Sequence, residues 1–291
     1  MGEVAPFEPA IPAMVVGQSF DGAEPPLGLG EPFALLGGDR LGPDGLAFQL
    51  MHDHQPGLVA WAQRSCGVLL AAERPWFRGL PLLLAGPPGA GRTHAARWLA
   101  TTVGVPHVVL NPTDPVIANN IAASRGIDEA LWASPVTVAM AADRCANPVV
   151  SVPGVDGLAA DVAAGLAAMI DPDTATAWSE DRLRTALDLS EVTWVLQCQE
   201  PGAVAAELRR LTTLVVLEVP PYSIDSVLAL SILLEAMVDC GVARDDPAFG
   251  WARVRAQLGN WHRPSAKAIY AAMVEAITAL QRGAAPEEVP F

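Results

Sequence analysis

The chain has 291 residues, of which 51% are hydrophobic, so it is long and apolar enough to bury a sizeable core. Its 32 acidic and 18 basic residues give a formal net charge of −14 without any cluster of basic side chains, which argues against nucleic acid or a membrane surface as a partner. The sequence has no CxxC pair, no secretory signal and no uncharged apolar stretch of about 18 residues, so we expect a cytoplasmic protein with free thiols.

The predicted elements divide the chain into four consecutive parts. Residues 1–44 are rich in Pro and Gly and predict an irregular arm, whose apolar residues near Ile11–Val16 would dock on the core or on a neighbour. Residues 45–220 alternate short apolar runs with helical stretches, which is typical of an α/β core with a parallel sheet. Residues 221–283 are purely helical and predict a small lid, followed by a tail over 284–291.

Within the core and lid, the hydrophobic pattern places individual elements. The predicted core elements are, in chain order, Leu82–Ala85, His94–Thr102, Val108–Leu110, Ile127–Ala142, Val149–Val152, Leu158–Ile170, Val192–Leu196 and Leu214–Val219. The predicted lid helices are Ser223–Cys240, Ala248–Leu258 and Ser265–Arg282.

A glycine-rich loop follows the first predicted core strand and precedes a helix, which is the context that a phosphate-binding loop requires. Its residues are Gly86, Pro87, Pro88, Gly89, Ala90, Gly91, Arg92 and Thr93. Glycines let successive backbone N–H groups point at a bound anion, and the helix N-terminus adds its dipole. Arg92 stands where such loops have Lys, whereas Thr93 supplies the hydroxyl that holds Mg²⁺. We therefore expect ATP or ADP as ligand, with His94 as an additional contact.

Downstream motifs resemble the ATPase module of the Lon protease, an AAA+ ATPase. Without a gap, the sequence reproduces the spacing of Lon's D-P-E, F-S and D-L-S-D-V-x-F-V series in Asp171-Pro172-Asp173, Trp178-Ser179, Asp188-Leu189-Ser190-Glu191-Val192 and Trp194-Val195. The resemblance implies a P-loop AAA+ parallel sheet sandwiched by helices and followed by a small all-helical lid. Lon's N-terminal and Ser–Lys peptidase domains have no counterpart in the sequence, so we do not expect it to cut peptides.

The same resemblance assigns roles to residues outside the loop. Gln199 falls where the family has its sensor Asn, and Arg210 falls where the family has an arginine finger directed at the next subunit of a ring. Arg263 matches the second sensor at the start of a lid pattern that also includes Lys267 and Ile269. An alternative for Arg210 is a surface ion pair with Glu207 three residues earlier.

The motif set is incomplete at the strand that follows the second helix. In the family this strand ends in Asp-Glu, which orient Mg²⁺ and activate water, but here Pro153 and Gly154 occupy the two positions. Asp156, two residues farther on, is a weak candidate for a replacement because it would need a bent backbone. Phosphoryl transfer depends on positioning and charge stabilisation, so we expect hydrolysis to be slow or absent. Arg92 in place of Lys should slow hydrolysis further, since a planar guanidinium does not take the place of a compact ammonium.

Three hypotheses follow from this pattern. The first is a pseudo-ATPase that binds ATP or ADP, or a partner protein, in a regulatory or assembly role. Its partner would be a second copy of the chain or an active AAA+ paralogue in a ring. The second is a slow but active AAA+ ATPase that remodels proteins, and the third is a nucleotide-free scaffold. Turnover separates the second hypothesis from the others, and nucleotide affinity separates the first from the third.

Overall fold

The computed structural model describes residues 11–40, 55–122, 133–218, 227–258 and 266–284. The strands are β1 Ala13–Val15, β2 Gly17–Ser19, β3 Pro32–Ala34, β4 Leu82–Ala85, β5 His107–Val109, β6 Val149–Pro153, β7 Trp178–Glu180, β8 Thr185–Leu187, β9 Thr193–Cys198 and β10 Thr213–Val216. The helices are α1 Pro56–Ala71, α2 Arg92–Val103, α3 Pro115–Ile121, α4 Pro135–Asp143, α5 Ala160–Ile170, α6 Ala206–Leu211, α7 Val227–Asp239, α8 Trp251–Leu258 and α9 Ala266–Ala284.

The central sheet contains five parallel strands in the order β10-β4-β9-β6-β5. The side chains of β4 alternate between its faces, because Leu83 and Ala85 pack in one apolar cluster while Leu82 and Leu84 pack in another. Helices α1 and α2 cover the second face, and α3 to α6 cover the first. Parallel sheets are normally covered on both sides in this way, which explains the near-continuous apolar sequence of β4.

The segment predicted as an irregular arm is ordered over residues 11–40 and packs against the core. It forms β1 and β3, which pair antiparallel, and β2, which pairs with β8 far along the chain. Val16 is buried in the first apolar cluster, whereas Ile11 and Val15 remain exposed. The frequent Pro and Gly residues thus keep the strands short rather than preventing them. The predicted boundaries at residues 44 and 220 lie outside the described residues and stay predictions.

Helices α7, α8 and α9 enclose a third apolar cluster that is separate from the two on the central sheet. The fold class predicted from the sequence, a parallel α/β sheet sandwiched by helices and followed by a small helical subdomain, is confirmed. Among the described helices, none is both long enough and apolar enough to cross a membrane.

Candidate functional site at the carboxyl ends of the sheet

The loop between β4 and α2 carries the predicted phosphate-binding residues. Two of its glycines, Gly89 and Gly91, have left-handed backbone angles with φ of 87° and 89°. Residues with a Cβ adopt this region at a cost of roughly 1–2 kcal/mol, so the loop conformation depends on glycine at both places. Gly91 is also the residue from which α2 starts, so the loop leads into a helix N-terminus, where backbone N–H groups are free to bind an anion.

Arg92, the residue in place of the usual Lys, is hydrogen-bonded to the backbone of the sheet. Its Nη1 donates to the carbonyl oxygen of Gly86 at 2.7 Å and also to the carbonyl oxygen of Cys198. These carbonyls lie at the carboxyl ends of the neighbouring strands β4 and β9. Arg92 therefore ties two strand ends together.

Thr93 lies beside the end of β9. Its hydroxyl donates to Oε1 of Gln197 over 3.4 Å, and both residues line the same cavity. Gln199, the predicted sensor, lies one residue past the end of β9, and its backbone N–H donates to Asp156. The residue of β9 that the structure brings next to Thr93 is thus Gln197 rather than Gln199.

The opposite wall of the cavity is formed by the end of β6. Pro153 and Gly154, which stand where the resemblance to Lon would place two carboxylates, both line the cavity. Asp156 turns away toward the end of β9, where its Oδ2 accepts hydrogen bonds from the backbone N–H groups of Gln199 at 2.7 Å and Glu200 at 3.0 Å. Burial raises the pKa of Asp156, but these hydrogen bonds and the nearby charge of Arg92 outweigh it and leave the pKa below its ordinary value. Asp156 is therefore an ionised structural carboxylate.

The helical subdomain closes the cavity from the third side. Helix α7 contributes Ile232 and Glu235, and helix α9 contributes Lys267 and Tyr270. Among the described lining residues, Glu235 is the only carboxylate.

A polar network connects α2 to this subdomain. His94 contacts Glu235 through Nδ1 and Ser231 through Nε2, the latter at 3.0 Å. Because a carboxylate only accepts, we assign the proton of the ring to Nδ1. One turn later, Arg97 pairs with Glu235 at 2.7 Å and with Asp239 at 2.6 Å. Glu235 is thus already engaged by two side chains of α2.

The cavity has a volume of about 470 Å³, which lies within the range of small-molecule sites of about 300–1,000 Å³. Its described lining residues are Gly89, Gly91, Arg92, Thr93, His94, Arg97, Pro153, Gly154, Gln197, Ile232, Glu235, Lys267 and Tyr270. The cavity therefore combines a loop suited to phosphate with basic side chains from two elements, and its one lining carboxylate among the described residues is paired.

Two predicted residues are not among the described residues that line the cavity. Arg210 lies on α6 with 76% of its side chain exposed, and its contact with Asp171 is long at 4.0 Å. It does not pair with Glu207 in the structure. Arg263 lies outside the described residues, so its role as a second sensor stays a prediction.

Comparisons with known proteins add little to this description. No family model matches the sequence, and no curated protein matches it. Among solved structures, the chain is similar to a proline-to-glycine mutant of RuvB from Thermotoga maritima, with 18% sequence identity, coverage of 77% of this chain and 70% of that chain, and a TM-score of 0.39. The sheet order and the helical subdomain of this chain define a parallel α/β sheet that is covered by helices and followed by a small helical subdomain.

Proposed function

We propose that the chain is a Lon-like AAA+ module that binds ATP or ADP and hydrolyses ATP poorly or not at all. The main support for this proposal is that the glycine-rich loop and the end of β6 line the same cavity but present different chemical groups. The left-handed glycines in the loop of residues 86–93 support phosphate binding, whereas β6 ends in Pro153 and is followed by Gly154, so neither position carries a carboxylate. Such a site can hold a nucleotide but supplies no group from β6 to activate water.

Two described carboxylates near the cavity support the same conclusion. Asp156 accepts two backbone hydrogen bonds, and Glu235 is held by His94 and Arg97. A general base must reach the attacking water, and both groups would first have to give up these partners. The alternative of a slow, active ATPase therefore requires a rearrangement or a carboxylate from a partner.

Magnesium would enter this site together with the nucleotide. Thr93 and Gln197 offer two neutral oxygens 3.4 Å apart, and Mg²⁺ is commonly held by phosphate oxygens and water with only one or two protein ligands. The described residues contain no group of three or more His, Cys, Asp or Glu side chains suited to a metal. Thr93 is the ligand that this chain would provide, and the ion would neutralise phosphate charge.

Calorimetric titration with MgADP and MgATP tests the binding half of the proposal. We expect saturable binding that Thr93→Val weakens roughly threefold to tenfold, the range for one lost hydrogen bond. Thr101→Val is the matched control, because it makes the same change at an exposed position near the end of the same helix. If neither nucleotide gave a binding heat, the result would favour the scaffold hypothesis.

We further propose that the module works beside a protein partner, either a second copy or an active AAA+ subunit. Arg210 is exposed, and its one ion pair with a described residue is the long contact to Asp171, which supports its availability for a neighbouring subunit. Light scattering of mixtures and the ATPase rate of the partner test this, with Arg210→Ala compared with Arg209→Ala, the adjacent exposed arginine. The proposal is supported if Arg210→Ala loses the association or the change in the partner's ATPase rate and Arg209→Ala does not. No association and no change in any partner's rate would remove it.

A further inference from the structure

We propose that Lys267 of the helical subdomain, and not Arg92 of the loop, is the cation that binds the β-phosphate of the nucleotide. This inference rests on the proposed nucleotide-binding function and adds the residue that reads the phosphate. Of the basic side chains on the cavity, Lys267 and Arg92 differ most clearly in their surroundings.

The side chain of Arg92 is engaged in structural hydrogen bonds. Its Nη1 bridges the carbonyl oxygens of Gly86 and Cys198, and it sits near the ionised Asp156. Turning the guanidinium toward a phosphate would remove this donor from the Gly86 carbonyl and would leave the Cys198 carbonyl with the Gly86 N–H at 3.3 Å. Losing a hydrogen-bond partner of a buried polar group costs free energy. Arg92 is thus a positioning residue that keeps the loop aligned with β9.

Lys267 has the opposite surroundings. It is exposed, lines the cavity, and forms no ion pair with any described residue. It lies in the first turn of α9, where the helix dipole adds a positive partial charge on the same side. As the single lysine of the chain, it provides a compact ammonium where the other basic residues are guanidinium groups.

The position of Lys267 is fixed from α2. Tyr270, one turn along α9 on the same face, donates its hydroxyl proton to Asp239, and Arg97 of α2 binds Asp239 and stacks over the Tyr270 ring at 6.0 Å. Because Arg97 is five residues beyond Arg92 on α2, the helix that carries the loop also holds the face of α9 that carries Lys267. The backbone of Lys267 is therefore held beside the cavity, which its side chain lines.

The test compares affinities for AMP, MgADP and MgATP in the same protein. The ratio of the AMP and ADP dissociation constants reports contacts with the β-phosphate. We expect Lys267→Gln to reduce this ratio about tenfold or more, as for a lost charge-assisted hydrogen bond, and Lys267→Arg to restore part of it. Arg282→Gln, which removes one charge from the exposed end of the same helix, should leave the ratio at its wild-type value.

Arg92→Gln provides the opposing variant. We expect it to lower the melting temperature and to reduce the ratio of the AMP and ADP dissociation constants less than Lys267→Gln does, because Arg92 acts on the phosphate only through the position of the loop. A ratio that falls in Arg92→Gln and is unchanged in Lys267→Gln overturns the inference while the nucleotide-binding function stands. Wild-type protein that binds none of the three nucleotides overturns the proposed function, and the inference with it.

Discussion

The two walls of the cavity differ in the chemical groups that they present. The phosphate wall, formed by Gly86–Thr93 and α2, has left-handed glycines, a hydroxyl and a helix N-terminus directed at one space. The strand wall is formed by Pro153 and Gly154 at the end of the parallel strand β6. Neither residue has a charged or proton-accepting side chain. Binding draws on backbone geometry and hydrolysis draws on particular side chains. One function can therefore be lost while the other is kept.

The largest effect expected from this difference is on turnover. Because the strand wall lacks a metal-orienting and a water-activating carboxylate, we expect ATP turnover at least about 10²-fold below that of an intact AAA+ module. Steady-state phosphate release measures it, with Asp156→Ala as the companion variant. A rate on the order of 1 s⁻¹ that Asp156→Ala abolishes would break the comparison, since the strand wall would then contain a catalytic group.

A pH experiment asks whether the strand wall is a well-formed part of the fold. His107 on β5 contacts Ser151 of β6 at 3.0 Å, and burial together with the charge of Arg97 lowers its pKa to about 4 from an ordinary 6.5. Because the unfolded chain binds this proton more tightly, the stabilisation is complete above pH 6.5 and is lost as the pH falls toward 4. The loss should reach up to about 3 kcal/mol.

Urea unfolding of wild type and His107→Gln across this pH window isolates that contribution. We expect the unfolding free energy of the wild type to fall relative to that of His107→Gln as the pH falls, since Gln does not titrate. A difference that is constant with pH would mean that His107 is not held neutral, and that β5 and β6 are less tightly packed than described.

The smallest effect concerns the phosphate wall. An added Cβ at Gly91 meets no atom within 4 Å, so Gly91→Ala tests backbone conformation alone. With φ of 89°, the substitution should lower the unfolding free energy by about 1 kcal/mol and weaken nucleotide binding. Gly67→Ala is the matched control, because Gly67 lies exposed in α1 with equally open space, and Ala should stabilise it by about 0.5–1 kcal/mol. Equal stabilisation of both variants would show that the loop does not need its left-handed geometry.

The fold was largely predictable because its main elements have local signatures. The predicted strand Leu82–Ala85 coincides with β4, and the predicted helix Leu158–Ile170 differs from α5 only at its start. The pairing of β2 with β8 was not predictable, since it joins residues about 170 positions apart that show no local signal for each other. The short helix α3 was also missed.

The candidate site was less predictable, for two physical reasons. The role of Arg92 depends on the Cys198 carbonyl, 106 residues away, so its sequence position alone suggests a phosphate contact. Extending the Lon register points to Gln199, but β9 ends at Cys198 and Asp156 draws the next residue away from the cavity. A motif register gives the order of residues but not the residue at which a strand stops.

We propose that a nucleotide binds to the phosphate wall and stays there without being hydrolysed. A single-turnover measurement tests it most directly: excess protein is mixed with radiolabelled ATP and Mg²⁺, and the nucleotide retained with the protein is identified over time. We predict that the retained nucleotide is ATP, with cleavage at least about 10²-fold slower than in an intact AAA+ module treated identically. Conversion of the retained ATP to ADP at the rate of the intact module, or the absence of any retained nucleotide, would contradict the account.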